Sequence, residues 1–371
     1  MSSGFRVPSS DRPAKPERRT RHPERALKIL ILKPSSLGDV VHALPVLRLL
    51  KQHLPHSAIS WWIESRLAPL LEGDPDLAEL ILFERERWAR PAAWLDLLRS
   101  LRRVRHRQFD WVIDLQGLAR SAVFGWLASA GRYVGLDNPG EGGREGARAF
   151  YDVTPPRCPP GTHAVDRYRA VLPLLGVPVH DRFQWLPERP QIAAWLRAEW
   201  RTDEARWMLL LPGARWETKR WPAEHFAELV ARLSSALPDT RFVCLGSRAD
   251  APLTARIAQR HPERVLDLAG RTSLPQMIEW VRLSRLMITN DTGPMHVAAA
   301  LGRPVVALFG PTNPASTGPY GQLDGVLQNT SLDCVPCLKG ACRHSKPLEC
   351  LRSITPAMVC ESVLRRLEHA P

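Results

Sequence analysis

Short hydrophobic runs and helical patterns alternate along most of this 371-residue chain. Residues 28–32 are compatible with a buried strand, a polar turn follows at 33–39, and apolar residues at helical spacing start at Val40. Residues 109–122 repeat this order of strand, polar turn and helix. Because such regular alternation is typical of parallel sheets with right-handed crossovers, the pattern predicts an α/β protein.

The remaining elements divide the chain into two similar halves. The first half carries predicted strands at 58–63, 80–83 and 131–135 and predicted helices at 64–71, 94–107 and 162–175. The second half carries predicted strands at 207–211, 241–245, 265–268, 286–289 and 305–309 and predicted helices at 223–237, 251–259 and 274–283. The prediction is two Rossmann-like, doubly wound domains that face each other across a cleft.

The predicted domain boundary lies at 176–179, where Gly-Val-Pro-Val breaks the pattern. The first domain then spans 26–178 and the second spans 179–355. Residues 1–25 hold seven Lys/Arg, three Asp/Glu and four prolines without periodicity, which predicts a disordered basic tail. Residues 356–371 are predicted to form a closing amphipathic helix that packs back across the first domain.

The chain is strongly basic, with a formal net charge of +13 and a pI of about 10. This charge favours an anionic partner, such as nucleic acid, a membrane surface, or a phosphorylated sugar or lipid. A second basic concentration runs from residue 85 to residue 107 and holds eight arginines, several of them on the predicted helix at 94–107. That helix presents either an ordinary solvated face or a surface that meets an anionic membrane.

The sequence lacks the segments and motifs that would indicate a membrane span, secretion or nucleic-acid binding. No apolar run reaches the roughly 18 residues of a membrane span, and the first residues lack the apolar segment of a secretory signal. We therefore expect a cytoplasmic protein, and peripheral contact with the cytoplasmic face of the inner membrane stays open. No recognised nucleic-acid-binding motif is present, so we expect no nucleic-acid partner.

Several common enzyme signatures are also missing from the sequence. No G-x-G-x-x-G follows a strand, which removes the main support for a dinucleotide dehydrogenase. There is no P-loop G-x-x-x-x-G-K-[ST], no H-E-x-x-H and no G-x-S-x-G nucleophile elbow. The candidate chemistry therefore has to come from other strand-end loops.

Three strand-end loops carry such candidates. Asp39 follows the first strand, where parallel sheets bind ligands, and it is either a helix N-cap or a reacting carboxylate. The run at 291–293 opens a second helix, whose free N–H groups and dipole favour a diphosphate. Lys219 follows Gly213 and adds a mobile positive charge for the same phosphates. His296, one turn into that helix, is by itself more often a packed or capping residue than a ligand contact.

Seven cysteines, an odd count in a large chain, argue against a secreted disulfide scaffold. Four of them have the spacing C-x2-C-x4-C-x7-C, which is close to that of zinc and iron sites. They are Cys334, Cys337, Cys342 and Cys350. Of the two interpretations, a structural metal and reduced thiols in a loop, we predict the thiols.

Five motifs occur in order within residues 27–355. They are Lys-Pro-Ser-Ser-Leu-Gly-Asp-Val-Val-His-Ala-Leu-Pro at 33–45, Asp-Trp-Val-Ile-Asp-Leu-Gln-Gly-Leu-Ala-Arg-Ser at 110–121, Lys-Arg-Trp-Pro at 219–222, Asn-Asp-Thr-Gly-Pro-Met-His at 290–296 and Phe-Gly-Pro-Thr at 309–312. Each is weak alone, but in series they resemble the motifs of glycosyltransferase family 9, the bacterial lipopolysaccharide core heptosyltransferases. The first two are most similar to the heptosyltransferase I branch.

The resemblance implies a GT-B fold and an inverting transfer of heptose from ADP-heptose to the Kdo/heptose inner core of lipopolysaccharide. It implies that Asp39 and Lys219 are catalytic, that no cofactor or metal takes part, and that the acceptor is of the lipid A-Kdo type. Implied donor-binding residues are Ser36, Gly38, Gly213, Lys219, Asp291, Thr292, Gly293 and His296. Implied acceptor-binding residues are Lys33, Ser35, Asp114, Gln116, Arg120 and Arg144.

The sequence departs from the family pattern at two places. Arg248 stands where a carboxylate for the ribose is expected, with Asp250 two residues on, and Ala214 replaces a small hydroxyl residue near the phosphates. A second hypothesis therefore keeps the fold but uses a UDP- or GDP-hexose. A distant third, motivated by the charge alone, is a basic nucleic-acid-binding protein.

Overall fold

The computed structural model describes residues 26–84, 93–137 and 146–368. The predicted tail at 1–25, part of the basic concentration and the candidate Arg144 lie outside the described residues. Within the described residues, the strands form two parallel sheets flanked by helices.

The first sheet has the order β3-β2-β1-β4-β5 and contains the strand that precedes Asp39. Its strands are β1 Lys28–Leu32, β2 Ala58–Glu64, β3 Glu79–Phe83, β4 Trp111–Asp114 and β5 Arg132–Gly135. The last residue of β1, Leu32, pairs with Trp62 on one side and with Asp114 on the other. From Ile29 to Leu32 the strand is fully buried, as expected for a central strand covered on both faces.

The second sheet has the order β11-β10-β9-β6-β7-β8. Its strands are β6 Arg206–Leu211, β7 Thr240–Cys244, β8 Val265–Asp267, β9 Leu286–Asn290, β10 Val305–Phe309 and β11 Val326–Gln328. The helices along the chain are α1 Leu37–His53, α2 Ala68–Leu71, α3 Ala93–His106, α4 Ala119–Leu127, α5 Ala164–Arg169, α6 Pro190–Trp200, α7 Ala223–Ala236, α8 Ala251–Ala258, α9 Leu274–Leu283, α10 Gly293–Ala300, α11 Pro314–Thr317, α12 Glu349–Arg352 and α13 Pro356–Glu368. Strands β1 to β5 precede the predicted boundary at 176–179 and β6 to β11 follow it, while the boundary itself stays a prediction.

Each sheet has one point at which the strand order reverses. In the first sheet β2 lies on one side of β1 and β4 on the other, so the loops after β1 and β4 flank a crevice. In the second sheet the same relation holds for β6 and β9. Ligands of open parallel sheets bind at such reversals, and the motifs at 33–45, 110–121, 219–222 and 290–296 lie on these four loops.

One hydrophobic cluster joins the two sheets. A single cluster of buried side chains includes Ile29 and Ile31 of the first sheet and Leu209 and Met287 of the second. At the cleft, α1 of the first sheet packs against α10 of the second. The loops that carry the candidate groups therefore face each other.

Two predicted helices differ from the structure, and one helix of the structure was not predicted. The predicted helix at 162–175 is only α5, followed by a 3-10 turn Pro173–Leu175, because Pro173 cannot continue the backbone hydrogen bonding. Between β2 and α2 a 3-10 turn replaces the start of the predicted helix at 64–71. The pattern at 190–200 forms α6, which the sequence analysis missed.

The closing helix is a correction of another kind. Helix α13 places Val359 and Val363 in the core of the second sheet, together with Phe226 of α7 and Leu308 of β10. It was predicted to pack back across the first domain. The amphipathic pattern was right, but periodicity does not specify which surface the apolar face covers.

Candidate active site

Asp39 lies in the first turn of α1, just beyond the carboxyl end of β1. Its Oδ2 accepts hydrogen bonds from the backbone N–H of Ser36 at 2.9 Å and from the Ser36 hydroxyl at 2.7 Å. Its other oxygen, Oδ1, accepts from the hydroxyl of Tyr168 at 3.3 Å. Asp39 is therefore an N-terminal capping group, and it is also a half-buried carboxylate at the mouth of the crevice.

The surroundings of Asp39 keep it ionised. Burial alone would raise the pKa of its carboxyl, but the charge of Lys33, the hydrogen bonds from Ser36 and the proximity of His296 together lower that pKa below its usual value. Lys33 is 3% exposed, its Nζ donates to the Leu115 carbonyl at 3.1 Å, and the same atom lies 4.5 Å from the centre of the Tyr168 ring. Lys33 thus stabilises the negative charge of Asp39 from behind the crevice.

Asp114, a predicted acceptor residue, is enclosed within the fold of the first sheet. Its side chain is fully buried, and Oδ1 accepts from the N–H groups of Gln116 at 2.8 Å and Gly117 at 3.0 Å. Its Oδ2 accepts from the Tyr151 hydroxyl at 3.0 Å and lies 3.4 Å from the Tyr133 hydroxyl. Burial raises the pKa of this carboxyl despite those hydrogen bonds. Asp114 therefore shapes the loop after β4 from inside.

The loop shaped by Asp114 carries two other predicted acceptor residues. Gln116 is half-buried, and among the described residues its side-chain Oε1 has no hydrogen-bond partner. Arg120 is exposed in the first turn of α4. Ser35 is half-buried in the neighbouring loop after β1. These three lie on the loops that flank the first reversal point, and their role stays a prediction.

Lys219 and Asp291 meet at the reversal point of the second sheet. Lys219 Nζ lies 2.6 Å from Asp291 Oδ2, and both side chains are largely buried. The same carboxylate oxygen accepts a hydrogen bond from the Thr312 hydroxyl at 2.6 Å. Lys219 Nζ also lies 4.9 Å from the centre of the Trp216 ring. Asp291 thus orients Lys219 through one oxygen.

Asn290 is a positioning residue that the sequence analysis missed. It is fully buried at the end of β9, where its Nδ2 donates to the Pro212 carbonyl at 2.7 Å and its Oδ1 accepts from the Trp221 N–H at 3.1 Å. These bonds hold both ends of the loop that carries Lys219. A buried amide after an apolar strand was the available signal, since such a group requires partners.

The first turn of α10 reaches across the cleft towards α1. The imidazole of His296 is 8% exposed, and its Nδ1 lies 2.8 Å from Nε2 of His42 on α1. Burial lowers the pKa of His296 to about 4, against the opposing influence of Asp291 and Asp39, so the ring is neutral near neutral pH. Thr292 is the N-cap of α10 in extended conformation, and Gly293 is its first residue.

The predicted donor residue Gly213 faces Asp250. A Cβ built on Gly213 would lie 2.4 Å from the Asp250 carboxylate, so only glycine fits there. Asp250 Oδ2 accepts from the Ser247 N–H at 2.9 Å and from the Ser247 hydroxyl at 2.6 Å. The carboxylate that is missing at Arg248 is therefore supplied by Asp250, which lies against Gly213 in the loop after β6.

The four clustered cysteines lie on the segment that follows β11. With His344 they line a cavity of about 220 Å³, and all seven cysteines of the chain are free thiols. In the part of the chain that the structure describes, no three Cys, His, Asp or Glu side chains are arranged to hold a metal ion. The segment supports the Lys219 loop, since the Thr218 hydroxyl donates to the Lys339 carbonyl at 2.9 Å.

The sequence profile of "Glycosyltransferase family 9 (heptosyltransferase)" matches residues 97–347. The chain belongs to this family. Lipopolysaccharide heptosyltransferase 1 of Pseudomonas aeruginosa is 32% identical over 330 residues, which cover 86% of this chain and 88% of that protein. Lipopolysaccharide heptosyltransferase 1 of Escherichia coli K12 is 26% identical over 315 residues, covering 80% of this chain and 92% of the relative.

Solved structures of the heptosyltransferase family share the fold. The Escherichia coli heptosyltransferase WaaC with ADP has a TM-score of 0.71 at 25% identity, with 93% of this chain and 100% of that chain covered. A family 9 glycosyltransferase of Veillonella parvula has a TM-score of 0.77 at 23% identity, with 92% of this chain and 98% of that chain covered. The predicted family, the GT-B fold of two parallel α/β sheets and the assignment as a glycosyltransferase are confirmed.

Proposed function

We propose that this heptosyltransferase moves a heptose from ADP-heptose to the Kdo of the lipopolysaccharide inner core, with inversion at the anomeric carbon. The observation that carries the proposal is the convergence of charges on one ring. The negative charges of Asp39 from the first sheet and of Asp291 from the second act on His296, and so does the positive charge of Lys219 from the second sheet. A carboxylate and a phosphate-binding loop thus face each other at the level of α10.

On the acceptor side, Asp39 acts as the general base. Its carboxylate takes the proton of the attacking hydroxyl, the hydroxyl oxygen bonds to the anomeric carbon, and the bond from that carbon to the diphosphate oxygen breaks. Because its pKa is lowered, Asp39 is ionised at neutral pH but is a weak base. Proton transfer therefore occurs late, once departure of ADP has made the hydroxyl more acidic.

On the donor side, Lys219 and the first turn of α10 receive the leaving diphosphate. The N–H groups at the start of α10, at Thr292 and Gly293, and the positive end of the helix dipole favour the developing charge. Lys219 is held close by Asp291, and phosphate oxygens compete with that carboxylate for its ammonium group. As ADP departs, Lys219 exchanges the Asp291 carboxylate for the diphosphate as its negative partner.

The donor nucleotide is the part of this proposal that has a rival. Asp250 is presented beside Gly213 where the family resemblance places the ribose, and Arg248 takes the place of the expected carboxylate. This observation keeps a UDP- or GDP-hexose donor as the second candidate. Stabilisation by ADP in a thermal shift measurement, without stabilisation by UDP or GDP, supports ADP-heptose, and the reverse result supports the rival.

The base is tested by replacing Asp39 with Asn. An amide oxygen can still accept the two hydrogen bonds from Ser36, so the start of α1 is preserved while the base is lost. We expect transfer to fall by about 10²–10⁴-fold, the usual contribution of general base catalysis, with ADP affinity within about threefold of wild type. An Asp39→Asn enzyme with normal turnover would rule out Asp39 as the base.

We also propose that the enzyme works at the cytoplasmic face of the inner membrane through α3. Val104 of this helix is buried, whereas Arg102, Arg103 and Arg105 are exposed. No helix among the described residues combines the length and the apolar character needed to cross a bilayer. Such a basic face attracts anionic lipids at about 1 kcal/mol per Lys or Arg near the surface.

The membrane contact is tested with vesicles that contain anionic phospholipid. Replacing Arg102, Arg103 and Arg105 together with Glu should abolish salt-sensitive co-sedimentation. The matched control replaces three exposed arginines of the second sheet and its flanking segments, Arg241, Arg260 and Arg271, and should bind like wild type. Equal binding by both triple variants would exclude α3 as the contact surface.

A further inference from the structure

His42 is a buried histidine beside His296. It lies one turn after Asp39 on α1 and is 3% exposed. Its Nε2 lies 2.8 Å from Nδ1 of His296, and the two ring centres are 4.2 Å apart. One hydrogen bond between two imidazoles thus joins the first sheet's helix α1 to the second sheet's helix α10.

The direction of this hydrogen bond follows from the atoms around it. Among the described residues the other ring nitrogen of His42, Nδ1, is buried without a hydrogen-bond partner. If Nδ1 carried the proton, a buried N–H would lack an acceptor. Buried donors without an acceptor are rarer in folded proteins than buried acceptors without a donor. The proton therefore belongs on Nε2, and His42 donates to Nδ1 of His296.

The electrostatic surroundings of His296 favour the same direction. With Nδ1 accepting, the ring proton of His296 lies on Nε2, the edge that faces Gly38, the residue before Asp39. Asp39 and Asp291 both act on this ring as negative charges. An N–H on that edge is attracted by them, whereas a lone pair there would be repelled by the same carboxylates and by phosphate oxygens.

Both rings are neutral, so one proton occupies the bond between them. Burial lowers the pKa of His42 well below its usual value and lowers that of His296 to about 4. The titratable and charged groups that act on His42 are His296, His163, Lys33 and Arg167. Those that act on His296 are Asp291, Asp39, His163 and Lys219. Neutral rings have a defined tautomer, and this arrangement selects it.

We propose that His42 is a positioning residue that fixes the tautomer of His296, so that His296 presents Nε2–H to the leaving diphosphate. The diphosphate as ligand rests on the proposed function, whereas the tautomer of His296 does not. His296 then supplies a neutral hydrogen-bond donor beside the cationic Lys219. Because the bond crosses the cleft, it is complete only when α1 and α10 are together.

The tautomer is measured directly in the ligand-free enzyme labelled with ¹⁵N-histidine. Long-range ¹H–¹⁵N spectra separate the two tautomers, and the signals that disappear in His296→Gln identify His296. We expect a protonated Nε2 and an unprotonated Nδ1 in wild type, and loss of this preference in His42→Leu. A proton on Nδ1 of His296 in wild type would overturn the proposal, whether or not the leucine variant folds.

Kinetics test the consequence for the reaction. His42→Leu should lower kcat by about tenfold, a loss equivalent to about 1.4 kcal/mol, while His42→Gln, which keeps a donor amide, should recover most of it. His53→Gln at the exposed end of α1 is the matched control and should be unchanged. Wild-type kcat in His42→Leu would overturn the positioning role. If the spectra show the predicted tautomer but the enzyme transfers no sugar from any nucleotide sugar, the proposed function alone is overturned.

Discussion

Gly38 and His296 lie in direct contact across the cleft, since a Cβ built on Gly38 would stand 2.3 Å from Cδ2 of the His296 ring. The contact is reciprocal, because a Cβ on Gly293 would stand 2.9 Å from Cδ2 of Leu37. Each of the two helices α1 and α10 therefore carries a glycine where the other helix approaches. These glycines are required for close approach and not for unusual backbone angles, which explains their positions in the first turns of both helices.

Replacing Gly38 with Ala should separate the two helix starts. The new methyl group cannot fit beside His296 without a shift of α10 or of the ring, and catalytic groups misplaced by about 1 Å cost on the order of 10²-fold in rate. We expect kcat/KM to fall by about that factor, with a smaller effect on the unfolding temperature. Steady-state kinetics and thermal unfolding of the same preparation give both values.

The control for this variant is Gly340→Ala. Its new Cβ would lie 3.6 Å from the nearest Trp216 atoms, an ordinary contact distance. We expect activity close to wild type. A Gly38→Ala enzyme as active as Gly340→Ala would show that the approach of α1 and α10 is not needed for transfer.

Lys219→Met tests the leaving-group site. Removing the ammonium group leaves the buried Asp291 carboxylate without its positive partner, while the hydrogen bond from the Thr312 hydroxyl remains. Removing a donor that stabilises developing charge costs about 10²–10³-fold in kcat, and we expect that loss here. Thr312→Val, which removes only a bond that orients Asp291, should cost less than about tenfold, the usual scale of one neutral hydrogen bond. Equal losses in the two variants would contradict a direct role for Lys219.

The two strand-end aspartates show what the sequence could and could not predict. Asp39 lies in the first turn of α1, beyond β1, and Asp114 is the last residue of the neighbouring strand β4. Both belong to segments in which an apolar strand, a polar turn and a helix follow one another. The burial of Asp114 is caused by Tyr133 and Tyr151, which arrive from β5 and from the segment after it. Hydrophobic periodicity contains no information on such distant partners, so it could not predict that Asp114 is fully buried while Asp39 is only half-buried.

Secondary structure was most predictable where capping residues and periodicity agree. Helix α9 begins after Ser273, whose hydroxyl accepts from the Gln276 N–H, and its predicted bounds were correct. Strand β10 was also predicted residue for residue because it is a short, fully buried apolar run. Helix α6 was missed although Pro190 marks its first turn, since it buries only Ala193 and Leu196. A narrow apolar face gives a weak periodic signal.

Asp114→Asn and Asp114→Ala separate a structural role from acceptor binding. The amide can still accept from the N–H groups of Gln116 and Gly117 and can donate to the two tyrosine hydroxyls, so we expect a loss of about 1 kcal/mol or less in the free energy of unfolding. Alanine leaves these buried donors unpaired and should cost about 2–4 kcal/mol. The KM for the acceptor should be unchanged in Asp114→Asn. A large rise in that KM at wild-type stability would place Asp114 back in the acceptor site.

The buried histidines predict how stability depends on pH. Burial lowers the pKa of His42, His163 and His296, so between pH 6.5 and the folded-state pKa the unfolded chain binds protons that the folded chain does not. Their stabilisation is complete above pH 6.5 and is lost as the pH falls towards the folded-state value. With a folded-state pKa of about 4, the contribution of His296 to the free energy of unfolding falls by about 2 kcal/mol between pH 7.5 and pH 5.

Urea unfolding at those two pH values measures this loss, and His296→Gln isolates it. The raised pKa of Asp114 acts in the opposite direction, but it is common to both proteins and cancels in their difference. We expect the pH-dependent loss of unfolding free energy to be about 2 kcal/mol smaller in His296→Gln than in wild type. If His296→Gln lost as much stability as wild type between pH 7.5 and pH 5, His296 would be protonated in the folded protein. That result would contradict the lowered pKa of His296 in the folded protein.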